Sequence, residues 1–374
     1  MVSNTLSHEL TIRSEVLVRT ETVLFAVTNV VAVLGNLLTF YAVYRKRGLR
    51  TIPNMFVIAL AVSDILMCTW CMPFTVASLF HGSWIFGETV CRFQAFDTFA
   101  FGMSSLGTMA AIAVSRYFRV VNQEKYPSLF KKRCTRSLIY IFMVWCLALA
   151  ASVPMLLFKN GSIELQPGKA MCLNKFENSS GVTVWFLALT GSVPPIFFEG
   201  GTFDFQPGKA MCLYTFESNI AYTVFIECFY IATPLMIVTV CYVKVFRTVS
   251  RSNRVFSREN NLSQLRANVE EAKVTKTLVA VLVGFASCWL PISVMDNIDA
   301  ARGEYTLPRQ AYLTYTCLAY VSSTINPFIY GCMNKQFRRG YKVVFKKILC
   351  VRRWSSDSSS ESGGRSFLTR AWSI

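Results

Sequence analysis

Asp64 lies inside an apolar run, Asn54–Ala77, and an acid in that setting binds a cation, takes a proton or destabilises the segment that carries it. Asp97, Glu227 and Asp296 lie in or beside other apolar runs and raise the same question. The last run ends in Asn326-Pro327-Phe328-Ile329-Tyr330 and leads into the basic segment Asn334–Tyr341. A proline inside a membrane helix frees a backbone carbonyl, and an adjacent asparagine can satisfy it while leaving a hinge. Arg116 closes the third run, where its forked cation can hold a carboxylate such as Glu271. None of this is enzyme apparatus. The chain has only His8 and His81, no phosphate-cradling glycine loop, and no carboxylates, cysteines or histidines at ligand spacing.

The elements that must position these residues are membrane spans. Hydrophobic residues make up 53% of the chain and charged residues 16%, and the apolar residues fall in runs near the ~20 residues that cross a bilayer. The spans are read at Thr22–Tyr44, Asn54–Ala77, Cys91–Val120, Ser137–Phe158, Tyr222–Phe246, Thr275–Ile298 and Tyr312–Cys332, with a surplus run at Gly181–Phe198. The fold class is therefore an all-α seven-transmembrane helix bundle, with a short amphipathic cytoplasmic helix after the seventh span. Residues 1–20 form an extracellular N-terminus, 21–349 the membrane domain and 350–374 a serine-rich cytoplasmic tail. A net charge of +17 would suggest nucleic acid in a soluble chain, but its placement excludes that partner. Lys and Arg cluster after the first, fifth and seventh spans and before the fourth, so the positive-inside rule puts those ends in the cytoplasm and the N-terminus outside. The first twenty residues lack an apolar core, so the first span serves as the targeting signal in place of a cleaved peptide.

Only Cys91, Cys172 and Cys212 then face the oxidising compartment, an odd number that leaves one thiol over. The surplus run comes from a tandem duplication. Val144–Glu177 recurs as Val184–Glu217 at an offset of 40 with 20 identities in 34 positions, including all of Gln166–Leu173 against Gln206–Leu213. If Gly181–Phe198 crossed the bilayer, Cys212 would be cytoplasmic and the next span reversed, so that run does not cross. The copies are read either as alternative exons joined in one chain, or as a duplication whose middle forms an extracellular or re-entrant insert. Sequencing the transcripts separates these: the exon reading expects messages with a single copy, and a message pool always carrying both removes it.

In order along the chain stand Gly35-Asn36, Leu60-Ala61-Val62-Ser63-Asp64, Cys91, Ser115-Arg116-Tyr117, Trp145 and Pro154. They are followed by Pro234 and Tyr242, then Phe285-Ala286-Ser287-Cys288-Trp289-Leu290-Pro291, then Asn326-Pro327 to Tyr330. Across residues 20 to 350 this series resembles the rhodopsin-like (class A) G protein-coupled receptors. The resemblance implies a ligand-activated receptor that signals to heterotrimeric G proteins by outward movement of the sixth helix. It assigns a sodium-binding polar core to Asp64, Ser105, Ser323 and Asn326, with Asn36 beside them. It assigns the activation switch to Arg116 paired with Glu271, to Trp289 and Phe285 moving against Pro234 and Leu106, and to Tyr330 and Tyr242 meeting through water. It joins Cys91 to Cys212 or Cys172. Both of these follow their tryptophan by 27 residues, so spacing does not choose, and continuity with the fifth span favours Cys212.

The same resemblance places the ligand pocket among Gln94, Thr98, Phe99, Gly102, Ile226, Glu227, Tyr230, Trp289, Ile292, Asp296, Thr316 and Tyr320. Its mixture of apolar, aromatic and a few polar groups suits a small amphipathic molecule or short peptide, with Glu227 or Asp296 for a positive group or else solvated at the mouth. Retinal is not expected, because Tyr320 stands where opsins carry the Schiff-base lysine. Amine receptors carry an aspartate where this chain has Thr98, with Asp97 pointing elsewhere. Arg116–Val121 is similar to melatonin-type and opsin-type members, although melatonin receptors usually have alanine in place of Pro327. Asn160 and Asn178 are extracellular glycosylation acceptors, and Cys350 is a juxtamembrane palmitoylation candidate. The serine tract at 354–364 suits receptor kinases and arrestin, each phosphate adding about −1.5 to −2 charges. The alternatives are a transporter or channel using Asp64 and Glu227, which would be expected to show half-to-half repeats, and a receptor-like protein silenced by the duplication. Ser115 replaces the acid that usually precedes the family's arginine, removing one restraint on Arg116. High basal signalling is the expected result, and Ser115→Asp should lower it in a nucleotide-exchange assay; an equal or higher basal rate would contradict that reading.

Overall fold

Within hydrocarbon each backbone N–H and C=O must be satisfied by its own segment, so the apolar runs form helices. The computed structural model describes residues 2–46, 49–130, 135–152, 163–165, 172–174, 203–214, 223–224, 227–258, 262–303 and 306–345. The helices are α1 (Val2–Thr11), α2 (Glu15–Arg45), α3 (Ile52–Leu66), α4 (Met72–His81), α5 (Gly87–Val120), α6 (Tyr126–Phe130), α7 (Thr135–Ser152), α8 (Thr233–Arg258), α9 (Leu262–Arg302) and α10 (Arg309–Met333). A further helix, α11, covers residues 335–345, where an amphipathic helix is expected. Asn160, Asn178, Cys350, the surplus run at 181–198 and the serine tract lie outside the described residues.

Local chemistry explains the punctuation. Ser14 Oγ accepts from Leu17 N at 3.4 Å to cap α2, and Gly82, at φ 74°, ends α4 in the left-handed conformation that favours glycine. Two wide π-helical turns, Met67–Cys71 and Glu227–Ala232, directly precede α4 and α8, and the second residue of each of those helices is a proline, Pro73 or Pro234. A proline cannot donate to the carbonyl one turn back and its ring collides there, so the wider turn accommodates it.

The helices close into a ring. α2 packs on α3, α3 on α5, and α5 on both α7 and α8; α8 then packs on α9, α9 on α10, and α10 returns to α2. Among the described residues, five stretches are long and apolar enough to cross a bilayer: Glu15–Arg45, Ile52–His81, Gly87–Val120, Thr233–Ser252 and Ala272–Arg302; Arg136–Leu149 is a shorter apolar helix. The side-chain distribution is that of a bundle in lipid. On α2, Val23, Val27, Val30 and Leu34 are exposed, while Asn36, Asp64, Ser104, Ser105 and Thr108 are buried between helices.

The repeated segment folds the same way twice. β1 (Ile163–Leu165) pairs antiparallel with β2 (Cys172–Asn174), and β3 (Phe203–Gln206) with β4 (Met211–Tyr214); the pairs Leu165↔Cys172 and Phe205↔Cys212 show an identical register at the offset of 40. Only the second hairpin is described in its side chains.

Above the ring α1 buries Leu6 and Leu10. Below it Glu21 is gripped by two arginines: Arg13 Nη1 stands 2.5 Å from Oε2, and Arg309 Nη1 reaches Oε1 at 3.0 Å, with Nη2 on the same oxygen. Arg13 also donates to the carbonyls of Leu10 and Leu79. These contacts compensate the charges that let α2 begin at Glu15, seven residues before the apolar run. Removing one partner from a buried ion cluster costs about 3–5 kcal/mol, because the other charges stay desolvated. Glu21→Gln is therefore expected to lower the thermal midpoint of the detergent-purified chain by several degrees; an unchanged midpoint would mean that the cluster is screened by water.

Candidate functional site: a filled pocket above a polar core

At the mouth of the ring the second hairpin turns inward. Residues 206–213 are all buried, which is unusual for a connection because its backbone needs partners. Its anchor is the Cys91–Cys212 disulfide, with Cα atoms 5.3 Å apart, which selects Cys212 over Cys172. Gln94 supports the same point: its Oε1 accepts from Cys212 N at 2.9 Å, while its Nε2 donates to Cys71 O at 3.0 Å and Thr75 Oγ1 at 3.3 Å. In the turn, Lys209 N donates to Gln206 O at 3.0 Å and Ala210 adopts φ 52°. A Cβ on Gly208 would fall 2.7 Å from the Tyr312 ring, so only glycine allows this approach.

The turn delivers Lys209. Its Nζ lies 3.1 Å from Asp296 Oδ1 and 4.1 Å from the centre of the Tyr315 ring, and Thr316 Oγ1 donates to its carbonyl at 2.7 Å. Tyr315 donates to the other Asp296 oxygen at 3.0 Å. Asp296 is thus buried and paired with a cation of the chain itself, and not solvated at the mouth. Glu227 accepts from Asn297 Nδ2, which also donates to Ser293 O at 2.9 Å. Tyr320, at the position an opsin would use for lysine, donates to Met72 O at 3.2 Å and meets Phe25 edge-on at 5.3 Å. Asp97 does turn away, toward Trp70 on the π-helical turn. Thr98 and Phe99 are half-buried on α5, and Ile226 lies outside the described residues.

Below the turn, Met211, Leu213, Ile292 and Tyr315 form a buried cluster against which Trp289 packs. Trp289 stacks on Phe285 with centroids 5.4 Å apart and planes at 18°, and its Nε1 is buried without a hydrogen-bond partner. The indole lies over Gly102 of α5, where a Cβ would meet it at 3.4 Å, an ordinary van der Waals contact. Leu106 and Phe285 share the main core cluster with Tyr242 and Tyr330, and Pro234 is half-buried at the start of α8.

Trp289 and Phe285 roof a small cavity whose other walls include Asp64, Ser105, Ser323 and Asn326. Asn326 Nδ2 donates to Asp64 Oδ2 at 2.9 Å. What is corrected is the expected pairing of the adjacent asparagine with the carbonyl that Pro327 frees. The carbonyl that Pro327 leaves unpaired is that of Ser323, and Asn36 on α2 satisfies it at 3.0 Å. Asn36 bonds that carbonyl and Ala32 O, while Asn326 bonds the carboxylate and, at 3.4 Å, Ser322 O. The Oδ1 of Asn326 is buried without a donor. A carboxylate, an amide oxygen and two hydroxyls around one small space are donors that suit a hard cation.

At the other end of α5, Arg116 is buried beside Ser115, whose hydroxyl has no hydrogen-bond partner. The side chain of Glu271, the expected partner of Arg116, lies outside the described residues. The Tyr330 hydroxyl is likewise buried without a partner, and its ring stacks on Phe337 of α11 at 5.2 Å. Tyr341 of α11 shares a 2.7 Å hydrogen bond with Thr39 of α2 and donates to Pro327 O at 3.3 Å. Burial raises the Tyr341 phenol to about 12, against the lowering effect of the Thr39 bond. Lys209, Tyr315, Gly208 and the Arg13–Glu21–Arg309 cluster were not anticipated. The available signal for Lys209 was its place in the eight residues that both copies share without change.

The family model described as 7 transmembrane receptor (rhodopsin family) matches residues 35–183 and again 180–330, and the two matches meet within the duplication. Melatonin receptor type 1A of Gallus gallus is 27% identical over 344 residues, covering 90% of this chain and 83% of that receptor. Melatonin receptor type 1A-A of Danio rerio is 26% identical over 341 residues, covering 90% and 84%. The crystal structure of squid rhodopsin shares the fold, with a TM-score of 0.69 over 94% of this chain and 93% of that one at 19% identity. With the ring of seven helices, the ordered motifs and a family match across most of its length, the chain belongs to the rhodopsin family of seven-transmembrane receptors, the ligand-activated receptors that signal through G proteins.

Proposed function

We propose that the hairpin end of the bundle faces outward and receives a small-molecule or short-peptide signal, and that the Arg116 end meets a heterotrimeric G protein at the cytoplasmic face of the plasma membrane. The observation that carries this is continuity: Met211 and its cluster bear on Trp289, Trp289 roofs the Asp64 cavity, and Asn326 links that cavity to the Pro327 bend. A contact that shifts Trp289 changes the packing around Phe285 and the polar core together. The bend at Pro327 and the proline of α9, Pro291, provide the places where helices yield. Swinging the Arg116-facing end of α9 outward then separates Glu271 from Arg116 and opens the G-protein site. Receptor kinases and arrestin act on the serine tract at 354–364, glycans occupy Asn160 and Asn178, and palmitate on Cys350 fastens α11 to the bilayer.

Asp64, Ser105, Ser323 and Asn326 are the residues that would hold sodium, and the unpartnered Asn326 Oδ1 fits that role. A bound sodium ion supplies a positive charge beside the Asp64 carboxylate. The chain's own contribution is the Asn326–Asp64 bond, which draws α10 toward α3. In membranes carrying the full chain, replacing sodium by an impermeant organic cation at equal ionic strength should raise basal nucleotide exchange several-fold. Asp64→Asn should lose that response. Equal sodium sensitivity in both chains would remove Asp64 from the role, and solute flux without nucleotide exchange would replace the receptor with a transporter.

A further inference from the structure

The turn of the second hairpin, buried throughout residues 206–213, sits beside Asp296 at the mouth of the bundle. We propose that Lys209 is the resident cation of the Asp296 site, a built-in ligand, and that a diffusible ligand acting there is an organic cation that must displace it. The ligand half of this rests on the receptor reading, but the occupancy of Asp296 stands on distances alone.

Lys209 is bound as an ammonium ligand would be bound. A carboxylate lies 3.1 Å from Nζ, the face of Tyr315 is centred 4.1 Å away, and the Tyr312 ring stands at 5.9 Å. Carboxylate and aromatic faces together are the recognition chemistry of alkylammonium groups. Its side chain is 2% exposed and that of Asp296 9%, so neither charge has water in place of its partner. The turn has been brought there at a conformational cost. Ala210 takes a left-handed φ of 52° that non-glycine residues avoid, and such strain persists only where the surroundings over-determine it. The surroundings do so through the Cys91–Cys212 disulfide, the Gln94 bond to Cys212 and the Thr316 bond to the Lys209 carbonyl.

A tethered group of this kind competes at an effective concentration of millimolar order or above. A weakly held external cation therefore loses to Lys209, and a neutral ligand gains nothing at Asp296. What displaces the turn must carry an ammonium or guanidinium on an apolar stem, and in doing so it disturbs Met211 and the cluster that supports Trp289.

The test is chemical rescue on the full chain. Butylammonium has the four-carbon stem and the cation of lysine, and butanol is its neutral control. Lys209→Ala should lower the thermal midpoint of the purified receptor, and millimolar butylammonium should restore at least half of the loss while butanol restores none. The native chain should not respond, because Lys209 already fills the site, and Lys209→Ala/Asp296→Asn should not respond, because the anion is gone. If Lys209→Ala does not reach the cell surface, growth with butylammonium should recover its surface delivery, again with no gain for the double variant. An equal effect of the amine on native chain and variant, or no effect on either, overturns the proposal. Rescue that appears in stability while no variant catalyses nucleotide exchange leaves the occupancy standing and removes the receptor reading.

Discussion

The Asn36 side chain holds the carbonyl that Pro327 cannot. An unpaired carbonyl between helices in hydrocarbon costs several kcal/mol, so a proline in α10 requires a donor from elsewhere, and α2 provides it at 3.0 Å. That bond sets how near α2 and α10 must lie. The neighbouring glycine suits that approach, since a Cβ on Gly35 would stand 3.0 Å from Pro327 Cγ and the proline ring would have to give by a few tenths of an ångström. With the carbonyl satisfied, Asn326 is released to bind Asp64 on α3, and three helices are joined at one level by two amides. The polar core follows from one missing N–H.

α5 carries this level to both ends of the molecule. It packs against α3, α7, α8 and β4, so displacements at either mouth are referred to one stiff rod. Near its start Cys91 and Gln94 fix the hairpin; in its middle Gly102 and Ser105 meet Trp289 and the Asp64 cavity; near its end lies Arg116. Polar groups buried along it have no water to fall back on, so each must keep its partner or find another when the bundle moves. The unpartnered Trp289 Nε1, Asn326 Oδ1 and Tyr330 hydroxyl lie along the route between the two mouths, where a change of partners has most to gain.

The bundle was legible because hydrocarbon permits few solutions: apolar runs of bilayer length become helices, and an acid or proline inside one must be answered. Asp64 and Pro327 could be placed for that reason, whereas Trp289 and the Cys91 bridge were placed by the resemblance to the receptor family. Which asparagine answers which group could not, because Asn36 and Asn326 offer the same amide and only the inter-helix geometry separates them. Lys209 and Asp296 are 87 residues apart, and nothing periodic links a loop lysine to a helix aspartate. The start of α2 at Glu15 was hidden for a related reason. Glu21 is answered in space by Arg13 and by the distant Arg309, while along the chain Arg13 and Glu21 read as a polar segment before the first span.

The duplication sets a problem of stoichiometry. Both copies contain the same eight residues with their lysine and cysteine, and both hairpins pair in the same register, yet there is one Cys91 and one Asp296 to receive them. Loop closure does not choose between them. The first hairpin is separated from α7 by 10 residues and from the turn at Glu227 by 52; the second is separated by 50 and 12. Closure entropy grows only with the logarithm of length, so these nearly mirrored pairs cost almost the same. The choice falls to the positions where the copies have diverged. Phe205, where the first copy has Leu165, sets its ring 5.7 Å from Trp84 and packs with it beside the disulfide. An aromatic pair is worth about 0.5–1.5 kcal/mol beyond its buried area, enough to bias two otherwise equal hairpins by up to roughly tenfold. One ring on the strand before the turn thus favours the second copy's lysine at Asp296.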